Sequence, residues 1–250
     1  MKKKIIIIII AVLMAFSIAL FALYREQKVA VLGYHDFTTK KPTSGMQINM
    51  KDFKRQMDYL KRHHYNTITL KQMECFINKT CTIPRKSVLI TIDDGYKSNY
   101  DLAFPMLEEY GFNAVVFYIG VNSDASNGIY MNKDIINESK IKYPNIEFAS
   151  HTYDLHHEND YLLDYDTINN DFNRMKSVLD TKYFAYPYGH VSKGIEDALE
   201  NSNYKLAFTF GPNREHRKAK SSDDKYHIPR LFISGDMPYF KYILRLIIPF

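Results

Sequence analysis

Eight short runs of apolar and β-branched residues, separated by amphipathic segments, constrain this chain more than any other feature. They are "VAVLGY" (29–34), "NTITL" (66–70), "SVLITI" (87–92), "AVVFYI" (114–119), "IEFAS" (146–150), "YFAYP" (183–187), "KLAFTF" (205–210) and "IPRLFI" (228–233). Each has the length and composition of a buried strand. Between them, Phe53, Met57 and Leu60 mark one helix, Ile168, Phe172, Met175 and Leu179 a second, and Ile195, Ala198 and Leu199 a third. A further helical pattern runs through Leu102, Met106 and Leu107. Strand–helix alternation predicts an α/β protein with a parallel sheet, and so many units in one domain predict a barrel.

The opening "MKKKIIIIIIAVLMAFSIALFALYREQ" sets three lysines before an uncharged apolar run from Ile5 to Tyr24. As a helix this run reaches about 30 Å, the thickness of a bilayer core. Residues 1–25 therefore read as a membrane anchor or signal sequence, with the lysines cytoplasmic and residues 26–250 exported as one domain. The run exceeds the ~7–15 residues of a cleaved signal's apolar core, and its one small-x-small site, Ser17-Ile18-Ala19, lies inside it. An uncleaved single-pass anchor is the preferred reading; a cleaved leader would release the domain. About 225 residues remain after the leader, which suits one α/β barrel.

Cys75 and Cys81 flank "FINKT". In an exported protein such a pair can close a small disulfide loop, contributing about 2 kcal/mol; the spacing excludes a Cys-x-x-Cys zinc site. The formal net charge is +5, and removing the three leader lysines leaves +2. With no basic block interleaved with aromatics, nucleic acid is excluded as a partner. Abundant tyrosine suits a sugar-binding cleft, but also interfaces and core edges.

Four polar clusters follow strand-like runs: "GYHDF" the first, "DDG" the third, "SHTYDLHH" the fifth and "YPYGH" the sixth. Alone, "DDG" reads as a turn with a capping Asp. Four clusters at strand C-terminal ends point instead to the rim on which parallel barrels assemble active sites. His151 and His156 lie five residues apart, which does not place them on one helical face. A loop could still bring both imidazoles to one ion with Asp94, a set that suits a catalytic zinc site, and His157 could replace His156. Asp93, beside Asp94, is then left to accept a proton from water, and a cation offsets the repulsion between the two acids. His35 is the candidate acid, with His227 and His190 as rivals; His63 and His64 read as a solvated helix end.

"TIDDG" (91–95), "SHTYDLHH" (150–157), "FAYPYG" (184–189) and "VLGYHDF" (31–37) together resemble the polysaccharide deacetylases of carbohydrate esterase family 4, which carry the NodB homology domain. Within that family the resemblance is to the intercellular-adhesin branch, and it covers roughly residues 29–233. It implies a distorted, incomplete (β/α) barrel, here preceded by one transmembrane helix. It implies Asp93 as base, Asp94, His151 and His156 as ligands of a divalent metal, the Tyr188 backbone N–H as part of an oxyanion hole, and His35 as acid. Zinc is the expected ion, with cobalt or nickel as substitutes.

The implied activity is hydrolysis of the N-acetyl groups of an extracellular N-acetylglucosamine polymer, foremost the biofilm adhesin poly-β-1,6-N-acetylglucosamine. Peptidoglycan or chitin-oligomer deacetylation, and a catalytically silent glycan-binding module, are the alternatives. Two features depart from the family pattern. The Arg usual before the Pro motif is Ala185, so Arg230 is the candidate to orient Asp93; a late Leu-x-His motif is lacking, which leaves the acid role to His35. At the C-terminus, Phe240, Ile243, Leu244, Ile247 and Ile248 form a candidate apolar face, for packing on the core or on a membrane.

Overall fold

The first apolar run becomes strand β1 (Lys28–Tyr34) in a computed structural model that describes residues 2–24, 26–210 and 217–248. Met1 and Arg25 of the expected leader, and residues 211–216, 249 and 250 of the expected domain, lie outside the described residues. Short strands β2 (Asp36–Thr38) and β3 (Gln47–Asn49) pair with each other, and β4 (Asn66–Thr67) pairs with the start of β5 (Ser87–Asp94). Then come β6 (Ala114–Tyr118), β7 (Ile146–Ser150), β8 (Tyr183–Ala185), β9 (Leu206–Thr209), β10 (Ala219–Lys220), β11 (Ile228–Pro229) and β12 (Leu231–Phe232). Parallel pairing runs β1-β5-β6-β7-β8-β9-β11. β10 lies antiparallel to the start of β1.

The barrel closes further than an incomplete one. The run 228–233 is not one strand: β11 pairs with β9 while β12 pairs with β1 on the other side. The single residue between them, Arg230, sits where the segment changes partner. The run 66–70 is also shorter than expected, because Thr69 caps a helix through a reciprocal capping box with Gln72.

Side-chain alternation divides the core. Val29, Val31, Leu89, Val115, Phe117, Ala149, Ala185, Leu206, Phe208 and Ile228 form one buried cluster inside the barrel. Ala30, Leu32, Val88, Ile90, Ile92, Ala114 and Val116 face outward under the helices. Period-two alternation of this kind follows from the pleat. Each fully buried aliphatic side chain contributes about 1.5–3 kcal/mol.

Eight α-helices are described. α1 (Lys2–Tyr24) is the leader, α2 (Met50–Arg62) carries Phe53, Met57 and Leu60 inward, and α3 (Leu70–Ile77) joins the interior cluster at the strands' N-terminal end. Cys75 of α3 is disulfide-bonded to Cys81. α4 (Phe104–Tyr110), α5 (Lys133–Lys142), α6 (Tyr165–Lys176) and α7 (Lys193–Asn201) cover the outside, and α8 (Tyr239–Ile247) ends the chain. α8 buries Tyr242 and Leu246, whereas Phe240, Leu244 and Ile247 of the expected apolar face are exposed.

The leader is one helix whose described side chains are exposed. Among the described residues no helix is long and apolar enough to cross a membrane.

Candidate metal centre and active site

The pleat that builds the core also aims the polar residues. Asp93 continues the inward series of Leu89, and Arg230 that of Ile228. His35 and His151 extend the inward registers of β1 and β7 by the same count. All four are buried. Asp94 would by parity follow Ile92 under the helices. Instead its φ of 71° takes the chain out of the pleat, and Gly95 follows at φ 79°. A Cβ on Gly95 would lie 2.3 Å from the Tyr118 ring, so only glycine fits this turn. The adjacent acids therefore part company: one points down the barrel and the other stands on the rim.

Asp94, His151 and His156 offer ligand atoms that all lie within 4.8 Å of one another. His156 Nε2 is 3.2 Å and His151 Nε2 3.6 Å from Asp94 Oδ1. His151 Nδ1 lies 2.7 Å from the Ala185 carbonyl oxygen, which can only accept. That contact fixes the tautomer and leaves the Nε2 lone pair facing the carboxylate. His157 is excluded from the cluster, being exposed and paired with Asp160 at 3.0 Å.

Asp93 sits beside this cluster. Its Oδ1 accepts a 2.6 Å hydrogen bond from Arg230 Nη1, while Oδ2 faces His35 Nε2 at 3.7 Å and His151 Nε2 at 4.0 Å. One oxygen is tied and the other faces the site. The Arg230 guanidinium lies 4.0 Å from the Phe210 ring centroid and 5.4 Å from that of Phe117. Ala185, where the family pattern carries Arg, does face the barrel interior. The guanidinium in that interior comes from Arg230 on the closing strand.

Electrostatics favour the charge states that a cation needs. Burial pushes the Asp93 carboxyl up, but Arg230, with His151 and His35, outweighs it and holds the group below the ordinary carboxylate range. Burial likewise opposes ionisation of Asp94, yet the His156 hydrogen bond and the neighbouring imidazoles hold it at about 2. Burial lowers His151 to about 4 against the pull of Asp93. Ionised acids and a neutral imidazole are the ligand forms. The site then holds two carboxylates against one guanidinium, which pairs with Asp93 alone, leaving an excess negative charge that a divalent cation would offset. The residues present fit the metal.

The remaining candidates are scattered around the site. His35 is buried between Phe210 and Phe232, with ring centroids at 6.2 and 5.6 Å. Tyr188 stands over His156 at 5.3 Å between centroids, and its φ of 56° bends "YPYG" sharply after β8. Thr209 Oγ1 holds that bend by donating to the Gly189 carbonyl at 2.7 Å. His190 lies beside Tyr188 and Tyr161. His227 pairs with Glu196 and Asp224, not with the site acids. His63 and His64 are exposed at the end of α2. Sequence reasoning missed the Ala185 carbonyl and Phe210; a backbone acceptor leaves no residue-type signal, and Phe210 reads as ordinary core.

The fold and this rim of acids and imidazoles define a polysaccharide deacetylase. The family model described as "Polysaccharide deacetylase" matches residues 81–207, just over half of the chain, and the chain belongs to that family. It is thus an enzyme, a hydrolase of the deacetylase class. Its curated relatives include the poly-β-1,6-N-acetyl-D-glucosamine N-deacetylase of Staphylococcus aureus, 28% identical and covering 85% of this chain and 81% of the relative. The enzyme of the same name from Staphylococcus epidermidis is 26% identical over the same shares. Among solved structures, IcaB from Ammonifex degensii superposes with a TM-score of 0.72 at 25% identity, covering 88% of this chain and 97% of that one. Streptococcus pyogenes deacetylase PplD, at 20% identity, shares the fold with a TM-score of 0.77, covering 90% of this chain and all of its own.

Proposed function

We propose that this protein is a metal-dependent N-deacetylase of poly-β-1,6-N-acetylglucosamine, working outside the cell from a membrane anchor at residues 1–25, with residues 26–250 as its deacetylase domain. The observation that carries the chemistry is the pairing of a ligand cluster, Asp94, His151 and His156, with a separate acid whose free oxygen faces it. The names of the staphylococcal relatives support the substrate. The lysine-led apolar helix and the Cys75–Cys81 disulfide support export.

Asp94, His151 and His156 hold the cation, zinc or a substitute such as cobalt or nickel. A divalent ion there supplies Lewis acidity that lowers the pKa of water and polarises the acetamide carbonyl. Asp93 takes the proton of the attacking water through Oδ2, while Arg230 keeps Oδ1 and the carboxyl plane fixed. The Tyr188 N–H donates to the carbonyl oxygen as it gains charge, a contribution worth about 3–4 kcal/mol in comparable sites. His35 protonates the leaving amine, completing the release of acetate. Its buried setting between two phenyl rings excludes competing water.

Acetate release from metal-reconstituted enzyme on β-1,6-linked N-acetylglucosamine oligomers and on peptidoglycan fragments tests the substrate. The expected result is at least about tenfold faster release from the former, a difference of about 1.4 kcal/mol in barrier. Faster release from peptidoglycan would overturn the assignment.

A further inference from the structure

His151 and His156 reach one point from a loop with no regular structure, so something must hold that loop. We propose, resting on the metal reading above, that Asp171 is the positioning residue that fixes the His151-to-His156 loop in its cation-holding shape. Its carboxylate accepts three consecutive backbone N–H groups from between the two histidines. Tyr153 N–H donates to Oδ1 at 2.8 Å, and Asp154 and Leu155 N–H donate to Oδ2 at 2.7 and 3.2 Å. Asp171 is 4% exposed and sits on α6 beside Ile168, Phe172 and Met175, all core residues, so the acceptor is anchored.

The loop's carbonyls are held from the opposite side. Gly120 and Val121 N–H donate to the Thr152 and Tyr153 carbonyl oxygens at 3.0 and 2.7 Å. A Cβ at Gly120 would lie 2.7 Å from the Tyr153 ring, so the close approach needs glycine there. Between these clamps Thr152 adopts φ 72°, a conformation costly for a β-branched residue. That turn separates His151, which leaves β7 pointing inward, from the segment that brings His156 back over the rim. Burial pushes the Asp171 carboxyl above its ordinary range despite the three donors and Arg174. A carboxylate kept at such a cost, with all its bonds spent on one loop, is placed for that loop. Ordinary helix-face acids are solvated instead.

Full-length Asp171→Asn and Asp171→Ala proteins, stripped of metal and titrated with Zn2+ against a chromophoric chelator, test this. Both should remain folded without metal, Asp171→Asn melting closer to wild type than Asp171→Ala, yet bind Zn2+ about 10–100-fold more weakly, the range seen when partners that orient metal ligands are removed. The Co2+ absorption spectrum should change in the same variants, which a remote loss of stability would not cause. Wild-type affinity and an unchanged Co2+ spectrum in both variants would overturn the inference alone. A wild-type protein that binds no cation would overturn the metal reading, and this inference with it.

Should neither variant fold, amide exchange in the metal-free wild type decides. The Tyr153, Asp154 and Leu155 amides should exchange at least about 100-fold more slowly than free-chain rates. Exchange at free-chain rates there would refute the clamp.

Discussion

The two ends of the barrel treat charge in opposite ways. At the C-terminal rim, Asp93, Asp94, His35, His151 and Arg230 are all buried, and each has a titratable neighbour within 4.0 Å. At the N-terminal end Arg85 and Lys86 face solvent, Lys86 Nζ donates to the His63 carbonyl at 3.1 Å, and the half-buried Glu147 takes only the Leu70 backbone N–H, at 2.9 Å. Exposed charges there are screened and individually worth little. Those on the rim are held out of water, where each needs its partners. Buried, mutually compensated titratable groups mark a site built for chemistry, whereas the base is a solvated surface over the plug formed by α3.

Substitutions that strip the rim of its compensation should therefore cost far more than changes at the base. The largest effect is expected for Asp94→Ala. It should weaken Zn2+ by more than the ~100-fold typical of lost outer contacts, and abolish acetate release, as read by metal titration and assay. Next, Arg230→Met leaves Asp93 buried without its guanidinium and should destabilise the protein by about 3–5 kcal/mol in denaturant melts. In the fraction that folds, burial of Asp93 is no longer outweighed, so its pKa rises. The acid limb of the pH–activity profile should then shift upward; an unmoved limb would argue that Arg230 does not tune Asp93.

At the other end, Cys75→Ser with Cys81→Ser should cost about 2 kcal/mol of stability and leave acetate release per folded molecule unchanged. Lost activity there would break the contrast between rim and base.

Much of this was legible in the sequence. The apolar runs located every parallel strand of the barrel, though not the antiparallel β10, and counting by twos from Val31, Leu89, Ala149 and Ile228 leads to His35, Asp93, His151 and Arg230. Beyond the Ala185 carbonyl and Phe210, three features were not legible, each because it depends on contacts distant in sequence. The closing strand breaks at Arg230 because its two halves find different neighbours. The face of α8 that packs is set by what lies beneath Tyr242 and Leu246, not by the hydropathy of its own stripe. Asp171 offers a local clue, an acid set among Ile168, Phe172 and Met175, but its partners are backbone amides that no residue type announces.

The separation of ligand from base at the two adjacent acids is tested most directly by Asp93→Asn protein, loaded with Zn2+ and assayed on β-1,6-linked N-acetylglucosamine oligomers. Zn2+ affinity near that of wild type is expected, with acetate release lowered about 10²–10⁴-fold, the range for loss of a general base. Wild-type turnover in that variant, or a failure to bind Zn2+ while still folded, would contradict the account.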